Sequence, residues 1–195
     1  MPQESGFAQL VSLACHDVRT PLATVYGFAR TMECAMLPAT ELRYVGMIAA
    51  SSLEISQILD RLSLAARIEA SRWEPELADV DSGDLAVGVP ARVSEGEVEV
   101  TVGETARVRV DSDEIGRSLA SLARCVLRHG DLRRVGLSVS GPTIELTPVD
   151  EATARIVLGE ELKDFGAAVA VRAVAALGGT VAVDASTMRI TLPSA

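Results

Sequence analysis

The sequence predicts an all-α hairpin followed by an α/β sandwich domain. The hairpin is long and pairs with a second copy into a dimeric four-helix bundle, and the sandwich is of the α+β kind. Three observations carry this reading. Apolar residues recur at three- and four-residue steps through residues 5–70, the period of helices with one apolar face. A stretch with Pro75, several acids and Gly83 then interrupts the pattern. Beyond it, β-branched runs alternate with helical patterns, as in layered α+β domains. The expected organisation is a hairpin over 1–72, a linker over 73–83 and a sandwich domain over 84–195.

The first helix is expected from about residue 5 to about residue 37. Ala14, Val18, Leu22, Val25, Ala29, Met32 and Met36 form its apolar face. Pro21 lies inside the pattern and cannot donate a helical bond to the carbonyl of Asp17, which predicts a bend one turn beyond His16. Leu37-Pro38-Ala39-Thr40 reads as the turn, with Thr40 as N-cap. A second helix follows to about residue 70, its apolar positions being Leu42, Val45, Ile48, Ala49, Ile55, Leu59, Leu62, Ala66 and Ile68. A lone hairpin cannot bury two such faces well, and a second copy closes the core. The competing arrangement packs the hairpin on the rest of the chain.

In the second part, Leu85–Val89, Val98–Val102 and Arg107–Val110 read as strands. Asp113–His129 reads as a helix with Ile115, Leu119, Leu122 and Val126 buried. Val135–Ser140 and Thr143–Thr147 read as a strand pair turning at Gly141-Pro142. Glu151–Leu158 is a short helix, Phe165–Leu177 an apolar helix ended by Gly178-Gly179, and Thr180–Asp184 with Met188–Leu192 a last hairpin.

The totals narrow the function classes. Hydrophobic residues make up 48% and aromatics 3%, so the core is aliphatic and alanine-rich. A formal net charge of −9 argues against a nucleic-acid binder, which needs a basic field. The three cysteines are far apart, and no CxxC pair or Cys/His cluster suggests zinc, so no metal site is expected. Their odd number and spacing accord with a reduced, cytoplasmic setting. No signal peptide and no segment long enough to span a bilayer is legible.

The run His16-Asp17-Val18-Arg19-Thr20-Pro21-Leu22 concentrates chemistry within one helix. It resembles the phospho-acceptor box of two-component sensor histidine kinases. Ala66-Arg67-Ile68-Glu69-Ala70 resembles the end of the hairpin in that family. Gly166 to Arg172, Ala176 to Val181 and Arg189 to Pro193 resemble the ATP-binding domain that follows it. The resemblance implies that His16 is the phospho-acceptor and that Asp17 orients its ring and acts as base. It also implies that Thr20 positions water for dephosphorylating the partner, and Arg19 is expected to support phosphate charge or to pair with an acid of the other domain. An unperturbed imidazole, with a pKa of about 6.5, is a competent nucleophile near neutral pH.

The nucleotide motifs of the family are absent. Ser121 and Cys125 stand at the places of its magnesium-binding asparagines, and the chain has no asparagine. Leu146 to Thr153 contains no Asp-x-Gly-x-Gly, and the second loop offers only Gly159 and Gly166 among Glu160, Glu161, Lys163 and Asp164. Cysteine is a poor magnesium ligand, and three acids would repel a triphosphate. The expectation is therefore no ATP and no magnesium, hence no cofactor. The expected function is a histidine phosphotransferase, carrying phosphate on His16 to or from a response-regulator receiver domain that docks near Val25, Phe28, Ile48 and Ser52. Two alternatives stay open: a non-catalytic pseudokinase scaffold and a divergent active sensor histidine kinase.

Overall fold

A computed structural model describes residues 6–94 and 96–195, and the chain divides into two compact units, Met1–Trp73 and Glu74–Ala195. The first is a helical hairpin of α1 (Gly6–Glu33) and α2 (Ala39–Glu69). The expected start of the first helix, near residue 5, lies at the edge of the described residues. Helix α1 continues through Pro21, and it ends before the expected residue 37 in a turn where the Cys34 and Ala35 amides bond the Thr31 and Met32 carbonyls.

Thr40 is not the N-cap of α2. Pro38 holds that place, with φ −57° and ψ 148°, and its carbonyl accepts from the Glu41 and Leu42 amides. Proline's ring fixes φ and leaves the carbonyl free to start a helix, so Thr40 falls within the first turn.

The hairpin closes on small residues. Ala29, Val45 and Ala49 form a buried cluster with Leu37 packed against it, and Cys15 and Ser52 are buried as well. The apolar stripe expected on α1 is not buried as a whole. Ala29 alone of its members is buried, whereas Val18 and Val25 are 45% and 47% exposed, and Met32 and Met36 lie open. On α2, Ile48 and Ile55 are exposed too. Two helices share one seam, and the seam runs through alanines and serines that allow close approach. The larger side chains are left outside it.

In the second unit, β1 (Ala78–Asp81) pairs antiparallel with β3 (Arg107–Val110). A five-stranded sheet has the order β2 (Glu97–Thr105), β4 (Arg134–Gly141), β5 (Thr143–Thr147), β7 (Thr187–Thr191), β6 (Thr180–Asp184). Strands β2 and β4 are parallel, and the other pairs are antiparallel. Helices α3 (Ser82–Val87), α4 (Ser112–His129), α5 (Glu151–Val157) and α6 (Phe165–Ala176) complete the sandwich, with α4 packed against α3, α5 and α6.

The register sets Leu137 opposite Leu146, Val139 opposite Ile144, and Ile144 opposite Ile190. These side chains and Ile115, Leu119, Leu122 and Val126 of α4 are buried. Burying each leucine or isoleucine contributes on the order of 1.5–3 kcal/mol. Gly141 (φ +60°) turns β4 into β5 and Gly178 (φ +84°) ends α6, both in backbone space that glycine enters without strain.

Two elements differ from expectation. Leu85–Val89 is not a strand, because Asp81 caps a short helix there. Its Oδ1 accepts from the Gly83 amide at 2.8 Å, and Thr105 Oγ1 donates to its Oδ2 at 2.9 Å. These hydrogen bonds, from Thr105 first, hold the Asp81 carboxyl below the usual carboxylate range. Ser82 anchors the same helix by donating to the Gly141 carbonyl and accepting from the Ala106 amide. The other element is β1, which lies inside the stretch expected as linker. Its acids Asp79 and Asp81 stand opposite Arg109 and Arg107, and Arg109 meets Asp79 at 2.9 Å.

Candidate functional site

His16 and Asp17 sit side by side on α1. His16 Nδ1 lies 3.2 Å from Asp17 Oδ1, and the two side chains are 76% and 67% exposed. With the proton on Nδ1 and donated to Asp17, Nε2 keeps an in-plane lone pair directed at solvent. Next to them Cys15 is buried, and burial above all raises its thiol pKa, so it is not the nucleophile here.

Thr20 is exposed one turn along the same face, and its carbonyl accepts from Thr24 Oγ1 at 3.2 Å. His16, Arg19, Thr20, Ala23 and Thr24 line an open depression of about 520 Å³. Arg19 Nη2 reaches across the hairpin to Asp60 Oδ1 at 2.9 Å. That pair ties α1 to α2 beside the histidine. The expected partner, an acid of the other domain, is not the one found: Asp60 belongs to the same hairpin, 41 positions away, and meets Arg19 because α2 folds back on α1. Of the expected docking residues, Val25, Phe28 and Ile48 are exposed. Ser52 is not available, because it is buried and its hydroxyl donates to the Ile48 carbonyl at 2.8 Å.

In the second unit, Ser121 Oγ donates to the Arg117 carbonyl and accepts from Arg124, while Cys125 is fully buried. Neither offers magnesium an amide oxygen. The acids expected to repel phosphate are not bare. Glu160 and Glu161 face Arg155 at 3.6 and 3.0 Å, and Lys163 bonds Glu161, holding its carboxyl below the usual range. Asp164 is turned into the N-terminus of α6, where its Oδ1 accepts from the Ala167 amide at 2.9 Å.

The model of the His Kinase A (phospho-acceptor) domain matches residues 8–71. Comparison with curated proteins finds no match. Among solved structures, full-length ShkA in complex with AMPPNP superposes with a TM-score of 0.72 at 22% identity, over 96% of this chain and 47% of its own length. The chain thus spans about half of that protein. Histidine kinase AdeS of Acinetobacter baumannii gives 0.58 at 17% identity, over 91% of this chain and 97% of its own. The ATP binding domain of PrrB from Mycobacterium tuberculosis gives 0.50 at 19% identity, over 62% of this chain and 98% of its own.

The chain is histidine-kinase-like: a phospho-acceptor hairpin followed by a domain with the fold of histidine-kinase ATP-binding domains.

The same comparison overturns the expectation of no ATP and no magnesium. The fold is shared with a kinase solved with AMPPNP and with an isolated ATP binding domain. The repulsion argument also fails, since the acids behind it are paired. Missing motif side chains are no ground for excluding nucleotide from this fold.

Proposed function

We propose that His16 carries a phosphoryl group and exchanges it with the aspartate of a response-regulator receiver domain. The observation that carries this reading is the geometry at residues 16–17. A solvent-open imidazole has Nδ1 engaged by Asp17 and Nε2 free, within the segment that matches a phospho-acceptor domain. In the forward step, the Nε2 lone pair attacks the phosphorus of an aspartyl phosphate. The phosphorus–carboxylate bond breaks, and the aspartate leaves with the electron pair. The positive charge that develops on the ring is balanced by Asp17. The reverse step returns the phosphoryl group to a receiver aspartate.

Arg19 is held by Asp60 at the edge of the depression, where it faces incoming phosphate. Thr20 lines the same depression, where its hydroxyl can hold a water for hydrolysis of the partner's phosphate. Val18, Val25, Ile48 and Ile58, all exposed on the hairpin, supply the apolar face by which a second copy forms a four-helix bundle. Among the described residues no helix is long and apolar enough to cross a membrane. The free cysteines accord with a cytoplasmic setting.

A second reading is autophosphorylation of His16 from ATP, and the fold of the second unit favours it. Labelled phospho-receiver and labelled ATP, given separately to the purified protein, distinguish the two. Label on His16 from the receiver alone supports relay, and label from ATP supports autokinase activity. Label from neither defeats both and leaves a docking scaffold.

A further inference from the structure

The second unit gathers three side chains that no phosphoryl-transfer step uses. Cys125 and His129 stand four residues apart on the last turns of α4, hence on one face. Asp164, at the N-terminus of α6, faces them. Cys125 Sγ, a ring nitrogen of His129 and a carboxylate oxygen of Asp164 lie within 4.8 Å of one another. The cysteine is fully buried and the Asp164 side chain is 8% exposed. His129 Nε2 is enclosed and has no hydrogen-bond partner, although Asp164 Oδ2 is 3.5 Å away. A buried ring nitrogen without a partner costs on the order of 1–3 kcal/mol.

From this geometry we propose that Cys125, His129 and Asp164 form a binding site for a borderline divalent transition ion, with zinc as the best fit. The donor set is one sulfur, one nitrogen and one oxygen, which zinc accepts and a hard cation such as magnesium does not prefer. Bonds of about 2.0–2.3 Å around a tetrahedral ion place ligand atoms roughly 3.3–3.8 Å apart. The cluster therefore has to contract by about 1 Å at its widest. The two oxygens of Asp164 divide the work. Oδ1 is fixed by the Ala167 amide, while Oδ2 points at His129 and, at 3.7 Å, at Arg128. A ligand held by an outer hydrogen bond is oriented before the metal arrives.

Charge also favours the ion. Zinc with one thiolate, one carboxylate and one neutral imidazole is electrically neutral, which suits a buried place. Without metal the thiol stays protonated, because burial, and next the Asp164 charge, push it up to about 12. Binding replaces the thiol proton by the sulfur–zinc bond and releases that proton to water. His129, 23% exposed, is the side of the cluster that opens to solvent, and a water completes the fourth position.

The proposal stands apart from the phosphorelay reading, since its residues and readout lie in the other unit. The test uses the whole chain, stripped by chelator, in a Cys34→Ser background that removes the exposed thiol. It is titrated with cobalt(II) alone and then with zinc alone. The expected result is a thiolate-to-cobalt charge-transfer band saturating near one ion per chain, displaced by zinc, with a rise in thermal midpoint. Cys125→Ala should abolish the band. His129→Gln should weaken binding by more than the roughly 10–100-fold that losing an outer-shell partner costs. Asp164→Asn should weaken it while preserving the helix cap, because asparagine also caps well.

Should Cys125→Ala fail to fold, the wild-type stoichiometry and the His129→Gln titration decide. Absence of a band in folded wild type, or a band unchanged by His129→Gln, overturns the proposal. The cluster is then a His129–Asp164 ion pair beside an inert thiol.

Discussion

The chain has two histidines, one in each unit, and their surroundings differ in kind. His16 stands in solvent beside an equally exposed acid, and its neighbours leave Nε2 open. His129 lies at the end of α4, with its Nε2 enclosed against a buried carboxylate and near a buried thiol. The first surroundings suit a nucleophile that a large partner must reach. The second suit a ligand that only something the size of an ion can reach. Exposure, not residue type, assigns the chemistry, and it follows from packing. The hairpin keeps its seam for alanines, whereas the sandwich buries α4 on several sides.

The strongest way to break this contrast is to exchange the histidines' fates. His16→Gln should remove all phospho-receiver labelling and leave the helical signal unchanged, because exposed substitutions away from special features usually fall within about 0.5 kcal/mol. His129→Gln should leave labelling intact. Label that survives His16→Gln would end the relay reading. The label itself should be acid-labile and base-stable, as a phosphoramidate is.

A second test separates the two units. Leu119 is fully buried in α4, so Leu119→Ala should destabilise the sandwich by about 2–5 kcal/mol, read as a lower urea midpoint of its unfolding transition. Receiver-dependent labelling of His16 should persist. If labelling falls in parallel with the sandwich, the hairpin does not act alone.

Smaller changes sharpen the hairpin side. Asp17→Asn keeps the shape and loses the charge, and should slow transfer at least about tenfold without abolishing it. Thr20→Ala should slow loss of phosphate from the receiver and spare labelling of His16. Equal loss of both would restrict Thr20 to supporting the helix near Pro21. Val25→Glu should turn a dimer into a monomer by light scattering. Val25 is already half-exposed in the single chain, so the monomer should keep its helices.

The smallest effect concerns pH. The Asp81 carboxyl is held low by Thr105 and the Gly83 amide in the folded chain. Its contribution is therefore present above the ordinary carboxylate pKa of about 3.9 and is lost as pH falls through the lower folded value. Amide exchange in α3 should rise on acidification in the wild type. In Asp81→Asn, which keeps a cap without the charge, that part of the pH dependence should vanish.

What the sequence by itself determined was what local period and local chemistry encode. The 3.6-residue pattern set the hairpin, and alternation placed β2 to β7 within a few residues. The His16-to-Leu22 run singled out the histidine proposed to carry phosphate, because its partner Asp17 is the next residue. Three things lay with tertiary structure alone. The Asp81 carboxylate, at the start of α3, is fixed by Thr105, 24 residues away. Arg19 finds Asp60 only because α2 folds back on α1. The spacing of Cys125 and His129 is legible on one helix, but Asp164 joins them only when α6 packs on α4. In each case the deciding contact spans a length of chain that no local pattern encodes. The fold then brings those groups within a few ångströms of each other, where their chemistry begins.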